Sequence, residues 1–494
     1  MKLRDLLRFV NPLVADGNLE AEVTGVRGDS RRVRKGDLFV AARGGATDGH
    51  DFIAEAVAAG AVAVVCEKRG AVSHGAALVR VADSRRALAQ LADAFHGRPS
   101  SQLKVVGITG TNGKTTTSLL AASILDAAGM PAGVIGTLAV RFGDREIPAT
   151  NTTPPADDLQ DALGRMVQAG MKAVAMEVSS HALHQGRVEG VEWDAAVFTN
   201  LTQDHLDYHR TMDSYFSAKR RLFEKLGGGG KKASAVLNAD DPRCAELRRA
   251  VPEGVPVFLY GSAVEATVRA IGVETSLGGS RFTLHTNAGE TEVRTRLFGM
   301  HNVENCLAAA AAGMALGADL GAVARGIAAV ASVSGRLERV AENPAVFVDY
   351  AHTEDALRRA LQTLRPFTRG RLIIVFGCGG GRDHAKRPLM GRAAAELADF
   401  IFVTSDNPRF EEPGEIVEEI VKGFGNMGRF EKILDRRGAI GAALGMAREG
   451  DTVLLAGKGH ETYQEARGVR NPFDDRAVAR EFLASAGKGG AVHG

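Results

Sequence analysis

The run Gly107 to Thr116, with the sequence GITGTNGKTT, carries residue types that bind phosphate groups. Gly107, Gly110 and Gly113 lack a β-carbon, so the backbone can turn tightly and point successive N–H groups at phosphate oxygens. An apolar stretch at 103–106 precedes the run and an alanine-rich stretch follows it, which indicates a strand, a loop and a helix start. A helix start adds the positive end of its dipole. The spacing therefore predicts a cradle for a triphosphate.

Lys114 and the two threonines after it complete the predicted cradle. Lys114 supplies a mobile cation for the outer phosphates, and Thr115 or Thr116 offers a hydroxyl to Mg²⁺. The strict phosphate-loop spacing requires glycine where this chain has Ile108, so the pattern is a variant of that motif. A glycine turn ahead of an ordinary helix is the alternative interpretation. The lysine and hydroxyls directly after the turn favour nucleotide binding.

Carboxylates and imidazoles follow two further strand-like stretches. The stretch at 173–176 ends in Glu177, and the stretch at 195–199 is followed by two aspartates and two histidines within 204–209. In open α/β sheets, ligands gather at the carboxyl ends of the strands. Hard oxygen ligands with an occasional imidazole suit Mg²⁺ shared with nucleotide phosphates. A helix cap with solvated histidines is the alternative interpretation of 204–209.

Three segments of alternating strand-like and helix-like stretches must position these groups. Residues 1–102 show a compact α/β pattern that closes with a linker-like polar segment at 96–102. Residues 103–332 show the alternation of apolar strands and helical stretches that is typical of a doubly wound sheet, with an antiparallel patch at 265–298. Residues 333–494 form a second α/β unit. We therefore expect an α/β protein with a small amino-terminal domain, a central domain like those of P-loop ATPases and a Rossmann-like carboxyl-terminal domain.

Size and composition narrow the class of protein. A chain of 494 residues suits about three domains, and its 45% apolar and 24% charged residues are typical of a globular protein. The net charge of +2 argues against a broad basic face for nucleic acid. Four widely spaced cysteines indicate neither a disulfide framework nor a zinc site, and no apolar run reaches the ~18 residues that span a bilayer. We expect a cytoplasmic monomer with small-molecule substrates, no nucleic-acid partner and no membrane insertion.

Short motifs then occur in the order found in one enzyme family: GTNGKTT, EVSSH, NLTQDHLDYH, SAKRRLF, HNVENCLAA, GRLERV, DYAHTEDAL, GCGGGRDHAKRP, SDNPRFEEP and GKGHE. The chain resembles the Mur ligases, the ATP-dependent peptide-forming enzymes of peptidoglycan synthesis. The resemblance runs from DSRRV near residue 29 to GKGHE near residue 457. It implies that residues 1–102 bind a UDP-linked substrate, residues 103–332 bind ATP, and residues 333–494 bind an incoming amino acid.

The resemblance also implies a reaction. ATP would phosphorylate the D-glutamyl carboxylate of UDP-N-acetylmuramoyl-L-alanyl-D-glutamate, and the amine of meso-diaminopimelate would attack the acyl phosphate to give an amide, ADP and phosphate. Lys114, Glu177, His205 and Lys219 match the catalytic positions, and Thr115, Glu177, His205 and Lys219 match the positions that hold Mg²⁺. Lys219 would carry a carbamate, because the metals would repel an ordinary ammonium. The alternative is that Lys219 is one more exposed basic residue of a helix.

Further positions match the ligand contacts of the family. Those for ATP are Gly110, Thr111, Asn112, Gly113, Lys114, Thr115, Thr116, Asn302, Asn305, Arg336 and Asp349. Those for the UDP-muramoyl dipeptide are Ser30, the loop at 45–47, Asn151, Thr152, Thr153, Ser179, Gln185 and Arg187. Those for diaminopimelate are Arg382, Asp406, Asn407, Pro408, Arg409, Gly457 and Glu461. Asparagines at a helix start, such as Asn302 and Asn305, are equally explained as caps.

Arg409 in DNPR is expected to select the amino acid. Meso-diaminopimelate differs from lysine by one further carboxylate, which a planar guanidinium can hold through paired hydrogen bonds. Without that carboxylate a buried arginine would lack a partner, so lysine would be rejected about 10⁴-fold. Glu354 departs from the family pattern, where proline is frequent, but this changes a helix start more than a ligand contact.

Three other functions remain open at this point. A lysine-adding ligase of the same family differs only in its amino acid. A folylpolyglutamate synthetase is disfavoured, because the first hundred residues form an extra domain suited to a UDP group. The third is a nucleotide-gated binding protein without ligase activity, and the intact Lys114, Glu177, His205 and Lys219 argue against it.

Overall fold

The computed structural model describes residues 1–44, 47–68 and 75–489. Its strands form three main sheets that follow one another along the chain, and a separate two-stranded ribbon. Each main sheet is built mostly from parallel strands with helices between them. The predicted α/β class is confirmed.

The amino-terminal sheet has the strand order β1-β5-β4-β3-β2. Its strands are β1 (Val14–Asp16), β2 (Gly25–Arg27), β3 (Asp37–Val40), β4 (Ala63–Cys66) and β5 (Ala77–Arg80). The helices are α1 (Leu3–Leu6), α2 (Ile53–Ala58), α3 (Ser84–Phe95) and α4 (Pro99–Gln102), with 3-10 turns at Leu7–Phe9, Ser30–Arg32 and Gly49–Phe52. The apolar strands β3 and β4 are buried along their whole length, as expected for the centre of a parallel sheet.

The central sheet has eleven strands in the order β16-β15-β14-β13-β12-β11-β6-β10-β7-β8-β9. They are β6 (Lys104–Thr109), β7 (Ala132–Ile135), β8 (Ala139–Phe142), β9 (Arg145–Pro148), β10 (Ala173–Glu177), β11 (Ala195–Phe198), β12 (Ser234–Asn238), β13 (Val257–Tyr260), β14 (Val268–Ser276), β15 (Gly279–Thr286) and β16 (Gly289–Thr295). The strands from β14 to β7 are parallel. β14, β15 and β16 pair antiparallel, so the patch expected at 265–298 is confirmed.

Helices cover both faces of the central sheet. They are α5 (Lys114–Ala127), α6 (Ala156–Gln168), α7 (Ser180–His184), α8 (Leu206–His209), α9 (Met212–Glu224), α10 (Cys244–Ala250), α11 (Met300–Ala315) and α12 (Leu320–Ala329). The alanine-rich α11 is buried nearly all round and packs in one core with α5 and α12. This core fixes the first turn of α5, which carries the glycine loop.

The carboxyl-terminal sheet has the order β17-β18-β22-β19-β20-β21 and is parallel except for β17. Its strands are β17 (Glu338–Glu342), β18 (Ala345–Asp349), β19 (Leu372–Phe376), β20 (Phe400–Val403), β21 (Phe430–Lys432) and β22 (Thr452–Ala456), and β23 (Tyr463–Ala466) pairs with β24 (Val469–Pro472) as the ribbon. The helices are α13 (Glu354–Leu364), α14 (Lys386–Leu397), α15 (Pro413–Val421), α16 (Arg436–Met446) and α17 (Asp475–Gly489), with a 3-10 turn at Arg365–Phe367.

The sheet boundaries fit the expected division at 102/103 and 332/333, which remains a prediction. The segment at 96–102 is not a plain linker, because Pro99–Gln102 forms α4 with proline in its first turn. Arg32 pairs with Asp158 across the first boundary, with nitrogen and oxygen 2.6 Å apart. No helix within the described ranges has the length and apolar character to cross a bilayer.

Candidate active site

The glycine loop lies between the end of β6 and the start of α5. Gly110 has φ +149°, and a β-carbon there would overlap Thr199 Oγ1. Gly113 is the N-cap of α5 with φ +87°, and a β-carbon there would overlap Asn305 Oδ1. No side chain caps α5, so its first N–H groups stay available to an anion. The loop thus has the shape predicted for a phosphate cradle.

Lys114 closes over this loop. Its ammonium donates to the carbonyl of Gly110 at 3.0 Å and to that of Thr111 at 2.8 Å. Burial lowers the pKa of Lys114, and the nearby Glu177 carboxylate opposes that shift. The cation is therefore held at the mouth of the loop, beside an acidic group.

Thr115 and Glu177 meet directly behind the loop. The Thr115 hydroxyl donates to Glu177 Oε2 at 3.1 Å, and the hydroxyl of Thr137 donates to the same oxygen at 3.0 Å. The backbone N–H of Thr137 donates to Glu177 Oε1 at 2.8 Å. A hydroxyl and a carboxylate are the hard oxygen donors that Mg²⁺ takes, together with waters and phosphate oxygens. Thr115 and Glu177 therefore fit that ion.

Lys219 lies on the inner face of α9 and is only 1% exposed. Its Nζ donates to the Gly110 carbonyl at 2.7 Å and lies 4.4 Å from the centre of the Tyr215 ring. Burial, reinforced by the charge of Lys114, holds the pKa of Lys219 well below its ordinary value. The interpretation of Lys219 as an exposed basic residue is therefore wrong. As an ammonium it cannot coordinate a metal, whereas a carbamate on the same nitrogen would supply anionic oxygens.

His205 and Asp204 form an acid and imidazole group beside the loop. His205 adopts left-handed backbone angles with φ 55°, and its Nε2 lies 3.4 Å from Asp204 Oδ2. His352 from the carboxyl-terminal sheet approaches the same oxygen at 3.6 Å. The pKa of His205 falls to about 3, chiefly through burial, although Asp204 opposes the shift. Within the described ranges, no three His, Cys, Asp or Glu side chains are grouped as ready metal ligands.

A first cleft, here the nucleotide cleft, opens between the central and carboxyl-terminal sheets next to the loop. Its predicted ATP contacts are Asn112, Gly113, Thr116, Asn302, Asn305, Arg336 and Asp349. Arg336 Nη2 donates to Thr115 Oγ1 at 3.2 Å, which brings a carboxyl-terminal cation to the phosphate end. Gly299 is the N-cap of α11, so capping does not explain Asn302 or Asn305.

A second cleft, here the substrate cleft, brings together residues predicted for two different ligands. From the dipeptide set it contains Asn151, Thr152, Thr153, Ser179 and Arg187, and from the diaminopimelate set Arg382, Asp406, Asn407, Arg409, Gly457 and Glu461. His205 lines the same cleft. Residues of the central segment and of the carboxyl-terminal segment therefore line one cleft, which Asp204 and His205 also line.

Arg409 sits on the loop after β20 with φ 54°. Its Nη1 donates to the Gly380 carbonyl at 2.7 Å, which fixes the guanidinium at the wall of the cleft. Asn407 Nδ2 donates to Glu461 Oε2 at 2.7 Å, and Lys458 Nζ approaches that oxygen at 3.1 Å. This wall presents a guanidinium, an amide and a carboxylate, the groups that recognise the two ends of an amino acid. Pro408 belongs to the same loop and is buried.

Arg187 and Gln185 join the substrate cleft to a third cavity. Arg187 donates to the Thr153 carbonyl at 2.8 Å and to Gln185 Oε1 at 2.7 Å. Gln185 lines the third cavity with Arg43, Arg85 and Arg221, near the carboxyl ends of the strands of the amino-terminal sheet. Ser30 lies in a separate 3-10 turn. Of the loop at 45–47, residues 45 and 46 lie outside the described residues.

Several side chains of the site were not singled out from the sequence. Thr137 holds Glu177, and Tyr350, His352, Asp383 and Lys386 line the substrate cleft. All but Thr137 fall within the motifs DYAHTEDAL and GCGGGRDHAKRP, so motif position was an available signal. Thr137 had no such signal, because its role depends on how the turn after β7 packs against β10.

Comparison with known proteins agrees with this geometry. Three family descriptions match in order: "Mur ligase family, catalytic domain" over residues 22–96, "Mur ligase middle domain" over 108–313, and "Mur ligase, glutamate ligase domain" over 335–459. Together they cover most of the chain.

Individual relatives extend over the whole length. The chain is 47% identical to a UDP-N-acetylmuramoyl-L-alanyl-D-glutamate--2,6-diaminopimelate ligase of Geobacter metallireducens, with 99% of this chain and 100% of the relative covered. It is 46% identical to the ligase of the same name from Geobacillus kaustophilus, at 99% and 100% coverage. A solved structure of a ligase of that name superposes with a TM-score of 0.70 at 33% identity, covering 99% of both chains. The chain therefore belongs to the Mur ligase family.

Proposed function

We propose that the chain is an ATP-dependent, ADP-forming ligase that joins meso-diaminopimelate to the D-glutamyl residue of UDP-N-acetylmuramoyl-L-alanyl-D-glutamate. The observation that carries this proposal is the substrate cleft, which is lined by residues proposed for the dipeptide and by residues proposed for diaminopimelate, together with His205. The full-length relatives at 46–47% identity bear the name of this activity. ATP and UDP-linked substrates are cytoplasmic metabolites, so we place the reaction there, and we propose a monomer.

The loop and its neighbours are proposed to hold the triphosphate of ATP. N–H groups of the loop and the first turn of α5 would receive phosphate oxygens, while Lys114 turns from the Gly110 and Thr111 carbonyls toward them. Arg336 reaches the same end from the other domain. Adenine would lie toward Asn302 and Asn305 in the nucleotide cleft.

Thr115 and Glu177 are the proposed holders of Mg²⁺, and Glu177, His205 and a carbamate on Lys219 are the proposed ligands of a second ion. When bound, the metal neutralises phosphate charge and so eases attack by the D-glutamyl carboxylate. Burial of Lys219 beside Lys114 supports the carbamate, because both disfavour the ammonium form of Lys219.

The acceptor side of the reaction depends on alignment. Thr153, Ser179 and Arg187 are proposed to orient the dipeptide so that its carboxylate faces the phosphate. A bare carboxylate cannot lose oxide, whereas its phosphorylated form has a good leaving group. Holding that group next to the amine converts the second step into an effectively intramolecular one.

Selection of the amino acid is assigned to Arg409. Its guanidinium would pair with the distal carboxylate of meso-diaminopimelate, while Asp406, Glu461 and the Gly457 carbonyl receive the ammonium beside it. Arg382, exposed at the mouth of the cleft, would meet the other carboxylate. Lysine lacks the distal carboxylate and would leave the Arg409 charge without its partner.

Phosphate release with purified UDP-muramoyl dipeptide, ATP and Mg²⁺ tests the proposal. We expect release that depends on meso-diaminopimelate and an amide product detected by mass spectrometry. Faster turnover with lysine would refute the role given to Arg409 and favour a lysine-adding ligase. No ADP with all substrates present would favour a binding protein without ligase activity.

A further inference from the structure

Lys386 is a cationic residue that none of the roles above uses. It is the first residue of α14, is 8% exposed and lines the substrate cleft. Its ammonium group makes neither a hydrogen bond nor an ion pair within 4 Å to any residue in the described ranges. The stem of Lys386 is packed into the fold, but its ammonium nitrogen is not fully enclosed and reaches the cleft. An ammonium that faces the cleft without an acidic partner from the chain can pair with an anionic group of a bound ligand.

Neighbouring cations lack this feature. Arg387, the next residue, lies with its Nη1 2.9 Å from oxygens of both Glu411 and Glu419. Lys458 in the same region is fully buried and bonds to Asn407 Oδ1 at 3.2 Å and Glu461 Oε2 at 3.1 Å. Their charges are satisfied within the fold, so they serve structure. Lys386 differs because its charge faces the cleft.

The surroundings of Lys386 locate it between two halves of the site. Lys386 is close enough to interact electrostatically with Asp204 of the central domain and with Cys378. Cys378 interacts in the same way with Asp406 of the loop after β20. Asp204 lies beside His205, a proposed metal ligand, and Asp406 belongs to the proposed amino-acid side. The start of the twelve-residue helix α14 adds positive potential at the same place.

We propose that Lys386 is a catalytic residue of the amide-forming step, and that its ammonium donates a hydrogen bond to the oxygen that becomes negative when the amine attacks. This assignment rests on the proposed function. The new C–N bond forms while the carbonyl electron pair moves onto oxygen. That pair then restores the C=O bond, and the C–O bond to phosphate breaks with its electrons on phosphate. The proton lost by nitrogen leaves with the phosphate, so Lys386 keeps its own protons.

The two steps of the reaction can be measured separately. Acyl phosphate formed from ATP and UDP-muramoyl dipeptide is trapped by hydroxylamine as a hydroxamate, and amide formation is followed with meso-diaminopimelate. For Lys386→Met we expect undiminished hydroxamate, a 10²- to 10³-fold lower kcat for the amide, and KM values for all three substrates within about threefold of wild type. Lys386→Arg, which keeps a cation, should recover part of kcat. Lys422→Met, on an exposed lysine of the same domain, should match wild type.

The outcomes separate this inference from the function it rests on. If the wild-type chain forms no amide, the proposed function fails. If wild type is active and Lys386→Met keeps its kcat, or raises only the KM for meso-diaminopimelate, the catalytic role of Lys386 is wrong. Equal loss of hydroxamate and amide would also overturn it, because the lysine would then act before amide formation. If the methionine variant does not fold, Lys386→Arg decides through the same ratio of amide to hydroxamate rates.

Discussion

Lys219 links burial to chemistry at the scale of one residue. Replacing it by alanine removes the nitrogen that would carry the carbamate, so we expect activity to fall about 100-fold or more. Short carboxylic acids, which place a carboxylate in the space left by the side chain, should restore part of it. Turnover measured with and without added acetate or formate checks this.

Arg220 offers the matched control for Lys219. It neighbours Lys219 on α9 but pairs at the surface with Glu224, at 2.7 Å. Arg220→Ala should keep nearly full activity and show no response to carboxylic acids. A correctly folded Lys219→Ala that no acid rescues would contradict the carbamate.

Arg409 is the second residue-scale prediction. In Arg409→Ala, kcat/KM for meso-diaminopimelate should fall about 10³- to 10⁴-fold, because its distal carboxylate loses a paired partner. The value of kcat/KM for lysine should change far less, so the ratio of kcat/KM for meso-diaminopimelate to kcat/KM for lysine should fall. Competition between both substrates, with the products resolved by mass, measures this directly. Arg392→Ala, on an exposed arginine of α14, should leave the preference unchanged.

Motifs explain which of these residues could be found from sequence. Lys114, Glu177 and Lys219 stand in ordered motifs, and the structure brings all three within contact of the loop or its neighbours. Thr137 could not be found in this way, because it meets Glu177 through the pairing of β7 with β10, two strands that are neighbours in the sheet but not consecutive in sequence. The unpaired state of Lys386 is likewise a property of the surrounding fold rather than of its own segment.

Elements with continuous apolar runs were the most predictable. β19 and β22 are buried throughout, and the apolar sequence runs LIIVFG at 372–377 and TVLLAG at 452–457 predict them to within one residue. β9 was not foreseen, because it is exposed along its length and so has no buried apolar face. Such an edge strand is defined by its pairing with β8 rather than by its composition.

A buried ion pair ties two helices to the site at the element scale. Arg436 begins α16 and Asp475 begins α17, both are fully buried, and their closest nitrogen and oxygen are 2.6 Å apart. Arg436 also donates to the Ala456 carbonyl, next to Gly457. Asp475→Asn would leave the Arg436 charge uncompensated, so we expect a loss of about 3–5 kcal/mol in the free energy of unfolding.

Denaturant unfolding followed by circular dichroism measures that loss. The exposed pair of Arg437 and Glu481 on the same two helices supplies the control, since Arg437→Gln should cost less than about 1 kcal/mol. Equal stability of the two variants would contradict the importance given to the buried pair.

At the scale of the whole molecule, the site exists only where the domains meet. The phosphate loop belongs to the central sheet, whereas Arg336, Asp349 and Arg409 belong to the carboxyl-terminal one. Sequence could assign each group to its own segment but not the distances between segments, because these depend on how folded units dock. The structure therefore adds mainly the finding that residues of the central and carboxyl-terminal domains together line each of the two clefts.

Contacts across this boundary join the phosphate loop to helix α13. Asn112 of the loop donates to Asp355 Oδ2 at 2.9 Å, and Arg359 one turn later lies 3.3 Å from Glu304 of α11. Both Glu304 and Arg359 line the nucleotide cleft. Ligands that contact both domains should therefore favour the docked arrangement.

We expect nucleotide, with UDP-muramoyl dipeptide present, to reduce the radius of gyration, because the proposed ATP contacts of Arg336 and Asp349 are made only when the carboxyl-terminal domain closes. Asp355→Ala removes the carboxylate that accepts a hydrogen bond from Asn112. The variant should therefore need a higher nucleotide concentration than wild type to become compact. Arg358→Ala is the control, since Arg358 pairs within its own domain with Glu354 and Glu396. Small-angle scattering across a nucleotide titration gives the three midpoints. Identical scattering profiles with and without ligands in the wild-type chain would contradict closure. Equal midpoints in wild type, Asp355→Ala and Arg358→Ala would show that Asp355 does not contribute to closure.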